Sequence, residues 1–384
     1  MTYTTTDDTL IRTAFSSATD EVAAVAQLAR ELSPGEDDLT MLFASSRHDL
    51  GSLARNIRRQ FGKAPVIGCT TAGEITPNGY ADGSITGFTL PASQFTSFVR
   101  TIPDLDKLDI ADLGKIGHEI RREVSDARES GPGLNAFGLL LIDGLSIREE
   151  EVVAHLYGAL DDIPIIGGSA GDDLNFSRTH VLTNGGFVSN TAILAVCLTR
   201  LPIATFKSQH FVPTDHKLVI TGSDPKTRTV FDINGLPADQ AYANLVGCPV
   251  DALGPSVFSA HPIMLRIGGE YFVRSIQRRN PDGSLTFYCA IDTGLVLTIG
   301  EGVDLIDNLH QDLQMVTQKV PDPQLTIACE CVLRRLEVIE KGLVDDIGEL
   351  LSAHRAIGFH SYGEQFNSIH VNQTFSGIAI GRSQ

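Results

Sequence analysis

Three short phrases in the chain carry the residue types that could do chemistry. Thr71-Ala72-Gly73-Glu74, Ser169-Ala170-Gly171-Asp172 and Ser361-Tyr362-Gly363-Glu364 each run hydroxyl, small or aromatic residue, glycine, acid. Each follows an Ile-Gly pair, at Ile67-Gly68, Ile166-Gly167 and Ile357-Gly358. Glycine permits positive φ and close backbone approach, a hydroxyl donates or accepts, and a carboxylate accepts. Such corners suit a polar pocket for a small molecule. Equally, Ser/Thr and Asp/Glu beside Gly can simply cap and turn the chain.

Other chemistries can be weighed on the same residues. Gly167-Gly168-Ser169-Ala170-Gly171 matches the G-x-S-x-G of a nucleophile elbow, which requires a helix directly behind the serine. Asp172, Asp173, Asn175 and a strand-like His180-Val181-Leu182 follow instead, and the matching hydroxyls of the other phrases are Thr71 and Ser361. A hydrolase using Ser169, or an enzyme using Cys69, is therefore the alternative from a different class. Phosphate cradling lacks both the G-x-x-x-x-G-K-[ST] and the G-x-G-x-x-G patterns. A zinc site lacks H-E-x-x-H and partnered cysteines. Haem needs only one suitable side chain facing an apolar pocket. His370, just past the third phrase, and His360, inside it, are the candidate iron ligands, and Cys248-Pro249 resembles the short Cys-Pro element of haem-responsive proteins.

The same elements deliver each phrase: an apolar run, a helical stretch, and a second apolar run. These are 39–44, 49–61 and 64–67 for the first, 137–142, 148–160 and 164–166 for the second, and 325–331, a longer stretch to 354 and 356–357 for the third. Strand–helix–strand units imply parallel pairs with right-handed crossovers. Ligands settle outside the carboxyl ends of such strands, where all three phrases fall. The first strand of each unit ends at that edge in polar residues too: Ser45-Ser46-Arg47, Asp143-Gly144-Leu145-Ser146 and Arg334-Arg335. Asp143 and Ser146 thus join the candidate ligand contacts.

Around these units, helices are expected over 19–32, 106–126, 237–245 and 304–318, with turns at Asn78-Gly79, Asp82-Gly83, Asn184-Gly185-Gly186 and Asn280-Pro281-Asp282-Gly283. Segments 266–278 and 284–290 read as a hairpin. Thr374–Ile380 echoes Ser84–Leu90, central glycine included. The echo points to two homologous halves, with middle strands replaced or inserted in the second. The expected fold is α/β in the mixed α+β sense: two related domains, each a mixed sheet built on βαβ units with added antiparallel strands and packed helices. Asp224-Pro225 marks the boundary, giving a flexible terminus 1–18 and domains 19–222 and 223–384.

Thirty basic against 47 acidic residues leave −17, with no dense Lys/Arg block. Nucleic acid and anionic membranes are therefore not expected as partners, since both need clustered positive charge. No run approaches 18 continuous apolar residues, and the polar opening is no signal peptide. Six cysteines without CxxC pairing read as buried small hydrophobes in a cytoplasmic protein.

Cys69-Thr-Thr-Ala-Gly-Glu74, Gly167-Gly-Ser-Ala-Gly-Asp-Asp173, Tyr271-Phe-Val-Arg274, Gly300-Glu-Gly302, Tyr362-Gly-Glu-Gln365 and His370-Val-Asn-Gln-Thr-Phe375, in this order, resemble the FIST family from about Leu39 to Gly381. The resemblance implies an N-terminal and a C-terminal FIST domain forming a sensor that binds a small ligand and regulates a separate signalling output. Similar stand-alone members include bacterial haem proteins that sense nitric oxide and control a histidine kinase; others are associated with amino acids or related metabolites. With no appended kinase or cyclase legible, output is expected to pass through a partner such as a histidine kinase, with no catalytic residue in the chain itself. The resemblance gathers Thr70, Thr71, Gly73, Glu74, Gly168, Ser169, Gly171, Asp172, Arg274, Ser361, Tyr362, Glu364 and Asn372 as ligand contacts.

Overall fold

The computed structural model describes residues 10–382, and in it the repeated corners close three copies of one unit. The first runs β1 (Arg12–Ser16), α1 (Glu21–Leu32), β2 (Leu39–Ser45), α2 (Leu50–Phe61), β3 (Val66–Thr71), a short hairpin of β4 (Glu74–Thr76) and β5 (Gly79–Ala81), and β6 (Ile85–Leu90). The second repeats that order: β7 (Phe95–Ile102), α3 (Ile110–Ser130), β8 (Asn135–Ile142), α4 (Glu149–Leu160), β9 (Ile165–Ser169), the hairpin β10 (Val181–Thr183) and β11 (Gly186–Val188), and β12 (Ala192–Thr199). The third opens with β13 (Ile203–Ser208) and is then interrupted by an insert. The insert contains β14 (Phe211–Asp224), β15 (Thr229–Ile233), β16 (Leu236–Pro237), α5 (Ala238–Val246), α6 (Pro255–Ala260), β17 (Ile263–Ile267), β18 (Glu270–Arg274), β19 (Ile276–Arg279), β20 (Leu285–Phe287) and β21 (Val296–Gly302). The unit resumes with α7 (Leu305–Lys319), β22 (Leu325–Cys331), α8 (Val332–Glu340), α9 (Val344–Ala353), β23 (Ala356–Ser361), β24 (Glu364–Phe366), β25 (Ile369–Val371) and β26 (Phe375–Ile380).

The mixed α/β class is as expected. So is the two-domain arrangement, although the repeat itself is threefold, with the third copy interrupted by the insert. The echo between β6 and β26 has a third voice in β12, which holds the same place in the second sheet. Each unit pairs its two central strands in parallel and adds antiparallel strands beside the first. The far edge is completed by another unit. β4–β5 adds to β23, β10–β11 to β3, and β24–β25 to β9, so each six-stranded sheet borrows its last two strands. An open edge is thereby covered within the chain.

The inner faces of the three sheets meet in one core containing Met41, Phe43 and Phe88, Phe137, Leu139 and Ile193, and Ile327, Phe359 and Ile378. Phe43 stacks on Phe359 across two units, with ring centroids 4.7 Å apart. Helices cover each outer face in separate clusters, and the insert has a core of its own around Leu218, Tyr242, Phe258 and Phe287. In α2, helical spacing puts Leu53, Ala54, Ile57 and Phe61 on the buried side, and Asp49 caps the helix by accepting from the N–H groups of Gly51 and Ser52.

The Ile-Gly pairs have a steric reason. A methyl on Gly68, Gly167 or Gly358 would stand 1.7, 1.9 or 1.7 Å from the carbonyl oxygen of Leu42, Leu140 or Ala328 on the parallel neighbour.

Several expected elements differ. The expected flexible opening lies outside the described residues as far as residue 9, and Arg12–Ser16 is already a strand because it pairs with β6. The helix expected over 106–126 starts at Ile110, after a short 3-10 turn, and the long helix of the third unit breaks at Gly342, which has φ 69°. Segment 266–278 folds over Gly268-Gly269 and splits into separate strands. Asp224-Pro225 turns the chain between β14 and β15.

Candidate functional site

The three corners converge where the sheets meet and bond to one another in a ring. Ala72 N–H donates to His360 O (2.9 Å), Tyr362 N–H to Ser169 O (3.1 Å) and Gly171 N–H to Thr70 O (2.9 Å). In return His360 N–H donates to Gly73 O and Ser169 N–H to Gly363 O, both at 2.8 Å. With the strand registers, this makes Thr70, Ser169 and His360 the equivalent residues. The alignment of Ser169 with Thr71 and Ser361 is therefore corrected by one position. It misled because the second corner lacks one residue between its glycine pair and the turn.

Most corner residues hold the backbone. Glu74 accepts from Thr71 Oγ1 (2.5 Å), Ser84 Oγ (2.7 Å) and Ser84 N–H (3.0 Å). Glu364 repeats this with Ser361 Oγ (2.5 Å), Thr374 Oγ1 (2.6 Å) and Thr374 N–H (3.4 Å). Burial pushes Glu74 up to about 7 and Glu364 up to about 8, against the opposing pull of those donors. Asp172 instead organises a loop specific to the second unit, accepting from the N–H groups of Phe176 (2.9 Å), Ser177 (2.8 Å) and Arg178 (2.9 Å) and from the Tyr362 hydroxyl. Phe176 stacks on Tyr362 at 4.7 Å and leans on Tyr288 at 6.1 Å. Asp143 accepts from Leu145 N–H (3.0 Å), the Thr179 hydroxyl and Asn190 N–H, and Ser146 accepts from Arg148 N–H at 3.4 Å. Gly73 and Gly363 take positive φ, 119° and 152°, while a methyl on Gly168 or Gly171 would collide with the Phe359 ring or Ala72 N.

The chemistry lies in the seams between units. In the seam between the first and third, Tyr80 crosses to hydrogen-bond Glu330 and meets the His360 ring edge to face. Arg334 Nε donates to Glu330 (3.0 Å), Arg334 Nη1 meets His210 Nδ1 (2.9 Å), His210 Nε2 meets Glu337 (2.9 Å), and Lys341 reaches Glu337 at 2.6 Å. His360 Nε2 lies 3.2 Å from Glu330 Oε2. Burial opposes the Glu330 charge, yet His360, Arg334 and Tyr80 together hold its carboxyl below the usual range. Sequence reasoning missed Tyr80, Glu330, His210 and Glu337. The one available signal was the i, i+4 acid–base pair Glu330/Arg334 at a strand–helix junction.

The second seam joins the second unit, the third unit and the insert. Gln365 Nε2 donates to Ser169 Oγ (2.9 Å) and lies 3.3 Å from His370 Nδ1. Arg274 Nη1 donates to the His370 carbonyl (2.9 Å), and Asn372 Oδ1 accepts from Ser275 N–H (3.3 Å). Ser169, Gln365, Ser275 and Asn372 are fully buried and His370 nearly so, yet Gln365 Oε1 and Ser275 Oγ have no protein partner, and His370 Nε2 has none in hydrogen-bond geometry, the ring interacting with the Tyr288 backbone besides Gln365. Burial drives His370 down to about 4, which leaves it neutral. Thr70, in the third seam, exchanges hydrogen bonds with the His180 backbone beside apolar Leu182.

A haem does not fit at either candidate imidazole. His370 Nε2 faces Gly363, where a β-carbon would lie 2.7 Å away, and its other nitrogen faces Gln365. His360 is enclosed by the Tyr80 ring, Gly73 and Glu330. Neither leaves a face for a macrocycle. Among the described residues, no three His, Cys, Asp or Glu side chains form a metal-binding group. Ser169 Oγ is held by an amide, which cannot take its proton, and burial raises the Cys69 thiol well above its ordinary value. No helix among the described residues is long and apolar enough to cross a membrane.

Comparison with known proteins places two family models end to end on the chain: the FIST N domain over residues 38–236 and the FIST C domain over residues 238–367. A Methanocaldococcus jannaschii protein, described as uncharacterized protein MJ1623, is similar at 23% identity over 364 residues, covering 83% of this chain and 68% of its own. A chorismatase crystal structure covers 97% of this chain and 98% of its own at 10% identity, with a TM-score of 0.35 that bears on neither fold nor function.

Proposed function

The chain belongs to the FIST family, whose domains sense small ligands in signalling, and on that premise we propose that its ligand is a small polar metabolite, amino-acid-like in size, held at the Gln365–His370–Ser275 seam. One observation carries this reading. Three buried polar atoms without a hydrogen-bond partner, Gln365 Oε1, His370 Nε2 and Ser275 Oγ, belong to one contact network to which the second unit contributes Ser169 and the third unit and insert the rest. Unpaired buried polar atoms cost about 1–3 kcal/mol each. A ligand offering donors and acceptors there removes that cost and ties the two domains together. Gln365 Oε1 accepts, neutral His370 Nε2 donates because Nδ1 already accepts from the Gln365 amide, and Ser275 Oγ takes either role.

The seam is closed to solvent, so entry requires the segment packed across Tyr288 and Tyr362, residues 172–178, to move. A ligand that prefers one position of this segment biases the two states, as a sensor must. Output then passes to a partner signalling protein in the cytoplasm, a histidine kinase being the type the family implies. Haem-borne nitric oxide sensing is the finer family reading; it requires one of the two histidines to leave its present packing.

Thermal unfolding against amino acids, dicarboxylates, nucleotides and haemin tests the proposal on wild type and Gln365→Leu. A ligand at a hundred times its Kd stabilises by about 2.7 kcal/mol, a shift of several degrees. One ligand class should raise the wild-type midpoint and leave Gln365→Leu nearly unmoved. If no class acts, or if the variant responds equally, the seam is not the site. A Soret band with haemin would revive the haem reading.

A further inference from the structure

The insert is the part of the chain that breaks the threefold plan, and its surface is unlike the rest. Residues 211–302 hold about a quarter of the described chain but carry six of its fourteen exposed large apolar side chains: Val212, Val219, Phe231, Leu236, Ile267 and Val296. On the outer face of its sheet, Val219 stands opposite Val296, which is 57% exposed; in the row beside it only Lys217 is exposed, while Thr298, Met264 and Val273 are buried, the last two in a small cluster with Phe211. Lys217, Met264, Arg266, Tyr271, Val296 and Thr298 line a concavity of about 240 Å³ there. Arg266 lies over the Tyr271 ring, and neither Arg266 nor Lys217 has an ion-pair partner among the described residues. The neighbouring carboxylate, Glu270, is taken by Lys207.

From this we infer that the outer face of the insert sheet docks an acidic, apolar segment of a partner protein. Its aliphatic or aromatic side chains pack on Val296 and Val219 at the concavity, and its carboxylates sit on Lys217 and Arg266. Charge selects this occupant. The protein carries −17 overall, so an acidic segment is repelled from most of its surface and finds two unpaired cations here. Tyr271 and Arg266 beside an aliphatic patch are of the residue types that anchor protein interfaces. A second copy of the chain is disfavoured on the same ground, because a twofold contact through this face would oppose each Lys217 and Arg266 to its own kind.

A random peptide phage library panned on the full chain tests this, with Lys217→Glu/Arg266→Glu and Val296→Asp as comparison proteins. All three positions are exposed, so the variants should keep wild-type circular dichroism and thermal midpoint. Enriched peptides should combine Asp/Glu with Leu, Ile or Phe. Their affinity should fall about tenfold or more on either variant and weaken with rising salt. The inference is overturned if no peptide enriches, or if the enriched peptides lack acidic residues or bind the variants as tightly as wild type. It is also overturned if sedimentation shows the chain dimerising through this face, with Val296→Asp abolishing the dimer, or if anionic vesicles bind and the peptides do not.

Discussion

Tyr80 and His360 meet across the junction of the two FIST domains with ring centroids 4.6 Å apart and planes at 85°. Beneath them Glu330 and Arg334 form an ion pair with no exposure on either side chain. Taking one member of a buried pair away leaves the other charge uncompensated, at a cost of about 3–5 kcal/mol. Arg334→Leu should lower the unfolding midpoint by many degrees, and Glu330→Leu/Arg334→Leu should recover part of that loss. A double variant less stable than both singles would show that the pair is not coupled in this way.

Stability should fall as pH rises from 6.5 to 8. Glu74 and Glu364 have folded values of about 7 and about 8 against an ordinary 4.5. Between those limits the folded protein binds the extra proton, so each carboxyl subtracts up to ~1.4 kcal/mol per pH unit. Burial holds His210, His360 and His370 below the ordinary 6.5, which works in the opposite direction but only beneath 6.5. Above it the raised carboxyls dominate until they ionise near 8. Thermal midpoints across pH 6–9 should show this descent, and Glu364→Gln should remove most of it. An unchanged slope in the variant would count against the assignment.

Gly167→Ala should be among the most disruptive single substitutions in the chain. The added methyl would stand 1.9 Å from Leu140 O between two central parallel strands, with no flexible side chain to yield. A loss of about 3 kcal/mol or more is expected in denaturant unfolding, whereas Gly114→Ala, inside α3 with nothing within 4 Å, should gain up to about 1 kcal/mol.

Asp172→Ala should free residues 172–178 without unfolding the rest, because that carboxylate gathers three backbone donors of the segment. Limited proteolysis should nick the segment about tenfold faster than in wild type, while the global midpoint drops only a few degrees. Equal cleavage rates would mean that the Phe176–Tyr362 stack holds the segment by itself.

Much of the fold was legible because repetition was legible. The Ile-Gly pairs and Gly-acid corners are demanded by sterics and turn geometry in each unit, so they survive as a pattern. The insert broke the third copy over some ninety residues, which made three units read as two halves. The site was harder. The corner acids advertise polarity but spend it on their own hydroxyls, whereas Gln365, Ser275 and the Glu330–Arg334–His210 relay matter through contacts across units. His370 and Asn372 were named for their motif, but sequence spacing could not say that His370 would stand against Gly363 with its imidazole shut away from a flat cofactor.

The borrowed hairpins close a circle: the first unit lends to the third, the third to the second, and the second to the first. No unit can swing without dragging a strand pair rooted in its neighbour, so a hinge has nowhere to localise. On the proposed reading, a molecule at Gln365 would therefore bear on the Tyr80 and Leu182 junctions as well, through strands the three units share.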